Sequence, residues 1–300
     1  MGEAAAPVRW AFVTPSYLGD LQRCELLCRS MDVFLKGPWH HYVVVDKPHY
    51  QAFKHLAGPR RSVWLTDDVA PGGMRLLFNI PFIGGRSVWW SRDIGVSLGW
   101  HLQQMIKIGI AEKVSEEGLA YCDSDTFFLQ PFDVADLTRD GRFRFYRSKS
   151  RSTLDQINNP KYVRACLDIL RLDAANGTYH GYIDNFVTWH RPTVLQMCEL
   201  LAQNYGGKWS RSLRNRIQIS EYMLYGLFVD EVQKSNPHLF HTSECLCKTQ
   251  WFKQEQTDAE VEAFCSSLLP NEVTVGVQSF AGVSVDLLAR QFEKAAKALG

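Results

Sequence analysis

Two aspartates separated by one residue, Asp123 and Asp125, are the side chains whose types and spacing best fit chemistry at a bound cation. Apolar segments at 119–122 and 126–132 precede and follow them. Because the chain bends where a strand ends, both carboxylates can turn towards one divalent ion. Charges set in an apolar run need a partner, and hard oxygen ligands suit Mg²⁺ or Mn²⁺ better than zinc. The triplet therefore predicts a metal site that neutralises a diphosphate leaving group.

The elements that must position these acids alternate between strands and helices. Apolar runs predict strands at 8–16, 41–46, 62–65 and 119–122, and helical spacing predicts helices at 20–35 and 99–114. Alternation of this kind indicates an α/β fold with a mostly parallel central sheet flanked by helices. The acids follow the carboxyl end of a strand, where open sheets bind ligands. The glycine-rich and aromatic segment at 69–94 is interpreted as a long loop over the sheet.

Three segments resemble the GT-A fold glycosyltransferases. Residues 119–132 resemble their metal-binding strand, residues 12–17 resemble the first strand and nucleotide-binding loop, and residues 100–107 resemble the helix before the metal strand. The resemblance covers about the first half of the chain, and it is closest to uncharacterised bacterial glycosyltransferase-like proteins. It implies one Rossmann-like GT-A domain over 1–300, with a nucleotide-sugar-binding half at 1–150 and an acceptor-side half at 151–300.

The resemblance also implies roles for residues 123–125, which we call the acidic turn. Asp125 would be a direct ligand of Mn²⁺ or Mg²⁺, and Asp123 would hold the ribose or share the metal. Ser124, between them, is included among the donor-binding residues. His241 is the candidate for a third metal ligand, although a histidine after a leucine and a phenylalanine is as often a core residue with its hydrogen bonds satisfied.

Further donor-binding residues are expected in the first loop and on the helix at 99–114. By the same resemblance, Thr14, Pro15 and Tyr17 would line the nucleoside pocket. Gln104 and Lys107 share one helical face and could point at the sugar-phosphate. The alternative for Lys107 is a solvated residue of an amphipathic helix.

Two acids in the second half are candidates for the general base that an inverting transfer requires. They are Asp184 and Glu221. Glu221 could instead stabilise a helix start that Ser220 caps. Asp184 could instead be a turn carboxylate that accepts hydrogen bonds from local amides.

The overall amino-acid composition limits the classes of partner that the chain is expected to bind. Lysine and arginine total 33 against 32 aspartates and glutamates, a net charge of +1 that predicts no nucleic-acid partner. We find no export signal and no apolar run of the ~20 residues that cross a bilayer. The expected location is cytoplasmic, with peripheral contact to the inner membrane as an option if the last helix, at 285–299, lies on the membrane surface instead of packing on the domain.

The sequence thus predicts a metal-dependent glycosyltransferase. It would move a sugar from a nucleoside diphosphate donor, with a UDP-sugar as the default, to a carbohydrate or glycolipid hydroxyl, as in bacterial polysaccharide or glycolipid biosynthesis. One alternative is a nucleotidyltransferase or nucleotide-sugar hydrolase on the same fold, although the neutral loop at 14–19 lacks the basic, glycine-rich character of a nucleotidyltransferase. The other is a non-catalytic carbohydrate-binding protein.

Overall fold

A computed structural model describes residues 7–80, 86–173, 177–216, 218–251 and 256–299. The strands of the described part are β1 (Trp10–Ser16), β2 (Leu35–Lys36), β3 (Trp39–Val45), β4 (Arg61–Leu65), β5 (Arg75–Ile80), β6 (Arg86–Ser91), β7 (Gly95–Leu98), β8 (Gly118–Cys122), β9 (Thr126–Phe128), β10 (Phe132–Asp133), β11 (Thr138–Arg139), β12 (Arg142–Tyr146), β13 (Ser152–Thr153), β14 (Thr178–Tyr179), β15 (Phe186–His190), β16 (Leu239–Thr242), β17 (Cys247–Gln250) and β18 (Thr274–Val277). The α-helices are α1 (Leu21–Phe34), α2 (Tyr50–Phe53), α3 (Thr66–Val69), α4 (Gly99–Gly109), α5 (Pro160–Ile169), α6 (Arg191–Asn204), α7 (Glu221–Leu227), α8 (Asp258–Ser266) and α9 (Val285–Lys297).

A five-stranded sheet with the order β15-β8-β1-β3-β4 forms the centre of the fold. β8, β1, β3 and β4 are parallel to one another, and the edge strand β15 is antiparallel to β8. The predicted mixed α/β fold, with a mainly parallel central sheet flanked by helices, is therefore confirmed. All residues of β1 and β8 are buried, which explains why these strands appear in the sequence as continuous apolar runs.

Aromatic packing joins the first and second halves of the chain beneath the sheet. Phe12 of β1 contacts Phe186 of β15, with ring centroids 5.9 Å apart, and Phe128 of β9, at 6.5 Å. Phe128 and Phe186 also contact each other at 5.8 Å. These rings hold β9 and β15 against the central sheet, on either side of the turn that carries the two aspartates.

The segment at 69–94, predicted to be a loop, is largely a β-meander, so that prediction is wrong. β5, β6 and β7 form a three-stranded antiparallel sheet. Both faces carry apolar side chains, and the alternation of polar and apolar residues that signals a half-buried strand is therefore missing. Residues 81–85 of the segment lie outside the described residues.

The last helix packs on the domain. Phe292 of α9 is buried against Phe34, with ring centroids 6.1 Å apart, and beneath the Arg29 guanidinium, 5.1 Å from the ring. The apolar side of α9 is thus turned towards α1 and away from solvent. In the part of the chain that the structure describes, none of the helices combines the length and apolar composition that a bilayer crossing requires.

Candidate functional site at the carboxyl edge of the sheet

The acidic turn is held firmly between two strands. Asp123 and Asp125 follow the buried strand β8, and β9 begins at Thr126. The backbone N–H and the hydroxyl of Thr126 both donate to the carbonyl oxygen of Asp123, at 3.1 and 2.7 Å. The N–H of Val277 donates to the carbonyl oxygen of Asp125 at 3.0 Å. These bonds fix the backbone from which both carboxylates project.

Lys107 lies buried behind this turn and ties it to α7. Its Nζ is 2.9 Å from Asp123 Oδ1 and 3.1 Å from Glu221 Oε1, and it donates to Tyr222 Oη at 2.8 Å. Burial alone would lower the pKa of Lys107, but Asp123, Tyr222 and Glu221 together raise it well above its usual value. Burial also raises the pKa of Glu221, against the lowering effect of Lys107. Lys107 is therefore an interior cation shared by two carboxylates, and the alternative of a solvated lysine does not hold.

Asp125 and Asp20 bring two more carboxylates to the same place. Asp125 Oδ2 accepts a hydrogen bond from the N–H of Ser279 at 3.3 Å, whereas the buried Oδ1 has no hydrogen-bond partner among the described residues. Burial, and then the charges of Asp123 and Asp20, raise the pKa of Asp125 to about 7. Asp20 accepts from Ser124 Oγ at 3.1 Å, and burial raises its pKa. Three carboxylates thus converge on one edge of the sheet.

Sequence reasoning missed both Asp20 and its neighbour Arg23. Arg23 is buried and donates to the carbonyl oxygens of Val277 and Val283, at 3.1 and 2.8 Å, and its charge partly lowers the raised pKa of Asp125. Their position directly after the predicted nucleotide-binding loop was the available signal. Polar residues at the start of an amphipathic helix are usually solvated, however, so the pattern alone did not separate them from surface residues.

The structure does not bring His241 to the acidic turn. His241 lies on β16, with its Nε2 3.8 Å from Asp230 Oδ1 and its ring 5.5 Å from that of Phe145. β16 pairs with β12 in a three-stranded sheet. This sheet is distinct from the five-stranded sheet whose edge carries Asp123 and Asp125. Within the described ranges, no group of three or more His, Cys, Asp or Glu side chains is arranged to hold a metal ion.

A cleft of about 820 Å³ opens beside the acids, where β1 and β3 end and α4 begins. Its volume falls within the usual range for small-molecule sites, about 300–1,000 Å³. Residues of the first loop, of two strand ends and of α4 form its wall: Pro15, Ser16, Tyr17, Val44, Asp46, His49, Thr66, Ser87, Leu98, Gly99, Trp100, His101, Leu102, Gln103, Ile106, Tyr162 and Gln218.

Two of the three predicted pocket residues line this cleft. Pro15 and Tyr17 are in its wall, whereas Thr14 is fully buried. The Thr14 hydroxyl donates to the carbonyl oxygen of Cys122 at 2.7 Å and pairs with His41 Nε2 at 2.9 Å. Since Thr14 lies two residues before the end of β1, its side chain meets the neighbouring strands below the cleft floor.

Asp46 and an aromatic pair are the specific features of the cleft that the sequence did not reveal. The Asp46 carboxylate accepts from Thr66 Oγ1 at 2.8 Å and from Ser87 Oγ at 3.4 Å, and burial raises its pKa. The exposed ring of Trp100 lies 5.8 Å from the ring of Tyr162. An acid directly after a parallel strand was the signal for Asp46, as it was for Asp123.

Gln104 lies on α4, directly after Gln103, which lines the cleft. Its side chain is buried, and neither amide atom has a hydrogen-bond partner in the described part of the chain. An unsatisfied buried amide is costly, but Gln104 is not among the residues that line the cleft.

Asp184 lies beside the acidic turn because Phe186 pairs with Cys122 across the antiparallel edge of the sheet. Asp184 Oδ1 accepts from the N–H of Asn185 at 2.8 Å, while the buried Oδ2 has no partner among the described residues. Burial raises the pKa of Asp184 to about 7, against the lowering effects of that N–H and of Arg144. One carboxyl oxygen therefore accepts from a local amide, and the Cys245 thiol beside the carboxyl also lowers its pKa.

Two amides that are unsatisfied among the described residues belong to Asn185, next to Asp184 in the chain, and to Gln250, at the end of β17. Asn185 Nδ2 and both amide atoms of Gln250 are buried without partners in the described ranges. A Cβ at Gly276 would lie 2.5 Å from Asn185 Nδ2, so glycine is needed there for Asn185 to approach β18.

Replacing Asp184 with asparagine is expected to stabilise the protein increasingly as pH rises. The Asp184 carboxyl has a pKa of about 7 in the folded protein instead of 3.8. It therefore contributes fully to stability at low pH, where it is protonated in both the folded and the unfolded protein, and this contribution is lost as pH rises through the folded pKa. The advantage of Asp184→Asn should be small near pH 4 and reach up to about 4 kcal/mol at pH 8. Urea unfolding across this range measures it. Exposed Asp136→Asn is the control, and a pH-independent difference would contradict the prediction.

The chain is similar to two solved structures and to one protein family. The fold is similar to the crystal structure of an active-site mutant of LgtC, with a TM-score of 0.47 and 11% sequence identity, over 96% of this chain and 95% of the other. It is also similar to mouse xyloside xylosyltransferase 1 in its apo form, with a TM-score of 0.46 and 11% identity, over 92% and 100% of the two chains. No curated protein sequence matches. A family described as a family of unknown function (DUF6492) matches residues 11–295, and the chain therefore belongs to that family.

Proposed function

We propose that this protein is a metal-dependent glycosyltransferase of the GT-A type, which transfers a sugar from a UDP-sugar to a carbohydrate or glycolipid hydroxyl. The observation that carries the proposal is the meeting of three carboxylates with the cleft at the carboxyl ends of parallel strands. Tyr17 joins the two, since it lines the cleft and its pKa is raised by burial and then by the charges of Asp20 and Asp125.

The cleft suits the nucleoside of the donor. Trp100 and Tyr162 offer aromatic faces on which a base can stack, and Asp46 is an acceptor for sugar hydroxyls at a strand end. Asp46 is already oriented by Thr66 and Ser87. The diphosphate would then extend past Tyr17 towards the acidic turn.

Asp125 and Asp123 are the residues that would hold Mn²⁺ or Mg²⁺. Their fit rests on the unpartnered Asp125 Oδ1 and on the hard carboxylate oxygens that these cations prefer. When bound, the cation would neutralise charge on the leaving diphosphate. Lys107 holds Asp123 by one oxygen, which orients the other. His241 is left out of this donor set because it contacts Asp230.

Asp184 is the proposed general base. Its free Oδ2 and a pKa of about 7 suit proton removal from an acceptor hydroxyl near neutral pH. Glu221 is instead engaged by Lys107 at 3.1 Å, and we propose that it positions Lys107 and the acidic turn. Asn185 and Gln250 would bind sugar hydroxyls with their unsatisfied amides.

The test uses NMR to follow the turnover of a panel of nucleotide sugars in the presence of Mn²⁺. Each nucleotide sugar is tested with and without saccharide and glycolipid acceptors. The proposal predicts Mn²⁺-dependent release of UDP and a new glycosidic linkage only when an acceptor is present. Free sugar as the sole product would identify a hydrolase, and release of pyrophosphate from a nucleoside triphosphate would identify a nucleotidyltransferase. Failure of every nucleotide to stabilise the protein would favour a non-catalytic role.

Trp100→Ala is expected to weaken UDP binding roughly tenfold, because stacking on an aromatic face contributes about 1–3 kcal/mol per base. Isothermal titration calorimetry with UDP and Mn²⁺ measures the change. Trp90→Ala is a matched control, since Trp90 is 44% exposed against 48% for Trp100 and lies outside the cleft wall. Equal affinity of both variants for UDP would contradict the proposed position of the nucleobase in the cleft.

A further inference from the structure

The β5–β7 meander has one face in the protein core and one face outside it. Trp89 is 1% exposed and belongs to the core, and it pairs with Leu76 on one side and Ser97 on the other. Because successive residues of a strand point to opposite faces, Trp90 points away from the core, whereas Val88, the other neighbour of Trp89, is itself buried.

The outward face is apolar. Arg75, Trp90 and Val96 lie opposite one another across the three strands, and Trp90 and Val96 are 44% and 60% exposed. Phe78 lies in the adjacent row, opposite Val88, and Leu77 lies at the bulge of β5; both are more than half exposed. The outer face of an antiparallel sheet normally carries polar residues. A cluster of exposed bulky apolar side chains indicates an interaction surface.

Positive charge lies on this face at Arg75 and directly after β6 at Arg92. Arg75 and Arg92 are exposed, and neither forms an ion pair with a described residue. Asp93, the acid beside Arg92, is engaged by Lys208 at 2.6 Å and by Arg211 at 3.0 Å. It therefore does not neutralise the two arginines.

We propose that the outward face of the meander binds the surface of an anionic lipid bilayer. Tryptophan and phenylalanine are suited to the region between headgroups and acyl chains, and unpaired arginines are attracted to anionic headgroups. A second copy of the chain is a poorer partner. A two-fold symmetric contact would bring two copies of the same patch together and would therefore concentrate the positive charge of the arginines in one interface.

The outward face of the meander lies close to the cleft, so binding of this face to a membrane would also affect where the cleft is located. Leu98, which ends β7 opposite Val88, also lines the cleft, as do Gly99 and Trp100 at the start of α4. Docking of the meander would therefore bring the cleft close to the bilayer surface, where a glycolipid acceptor is located. This consequence rests on the proposed function, whereas lipid binding itself does not.

Flotation of the full-length protein with vesicles tests the inference without any assay of activity. Phosphatidylcholine vesicles with phosphatidylglycerol should carry the protein upward, and vesicles of phosphatidylcholine alone should carry much less. The double variant Trp90→Ser with Val96→Ser should bind at least roughly tenfold more weakly. Arg75→Gln should bind roughly fivefold more weakly and with a smaller dependence on salt.

Matched controls come from exposed residues elsewhere. Leu269→Ser, at a leucine that is 58% exposed, and Arg164→Gln, on the exposed side of α5, should float like the unmodified protein. Thermal unfolding of each variant verifies that it is folded. Failure of the unmodified protein to float, or equal flotation of the meander variants, would overturn the inference. A dimer in sedimentation analysis that the Trp90 and Val96 changes dissociate would assign the face to a second copy instead.

Discussion

Substitution of Asp125 with asparagine is expected to stabilise the unliganded protein and to abolish its Mn²⁺-dependent binding of UDP. The carboxylate is disfavoured by burial and by Asp123 and Asp20, which together raise its pKa to about 7. A neutral side chain of the same shape removes that penalty, for a gain of up to about 4 kcal/mol at pH 8. It also removes the unpartnered oxygen proposed to hold the cation, so turnover should fall by roughly 10²–10³-fold.

The thermal shift produced by UDP with Mn²⁺ measures the binding of both protein forms. Exposed Asp136→Asn should keep the full shift and the unmodified stability. Opposite changes in stability and activity are characteristic of a residue selected for function. An Asp125→Asn variant that keeps its Mn²⁺-dependent shift would rule out Asp125 as a metal ligand.

Replacement of Lys107 with methionine is expected to lower the free energy of unfolding by about 3–5 kcal/mol, because it leaves a buried carboxylate without its cation. Glu221 is 6% exposed and lies 3.1 Å from the ammonium. The loss should be smaller near pH 5 than near pH 8, since Glu221, whose pKa burial already raises, can then fold in its protonated form.

Urea unfolding of a double-mutant cycle isolates this interaction. Adding Glu221→Gln to Lys107→Met should restore part of the lost stability, because it removes the uncompensated charge. Lys113→Met, at an exposed lysine on the turn after α4, controls for the substitution itself. If Lys107→Met cost no more than the Lys113 control, Lys107 would not be a structural cation.

The general fold and the acidic edge were accessible from the sequence because their signals are local. Buried strands such as β1 and β8 are continuous apolar runs, and each change from apolar to polar residues marks a strand end. The two aspartates could therefore be placed at the carboxyl end of a strand before any contact was known. The helix predictions at 20–35 and 99–114 were also confirmed with small shifts, since apolar residues at helical spacing depend on a few turns of chain.

The meander at 75–98 was missed because its signals are not local in the sequence. A strand that is apolar on both faces shows no alternation, and its identity as a strand depends on hydrogen bonds to its neighbours. Trp89 and Trp90 are adjacent and equally apolar, yet one is in the core and the other is 44% exposed.

The sequence by itself determined the α/β architecture and placed the two aspartates at the carboxyl end of a strand of the central sheet. Only the tertiary structure decided which side chains meet there. It joined Lys107 to Glu221 as well as to Asp123, added Asp20 and Asp46, buried Thr14 below the cleft and placed His241 beside Asp230. The reason is that secondary structure follows from neighbouring residues along the chain, whereas the pairing of charges depends on the packing of segments far apart in sequence.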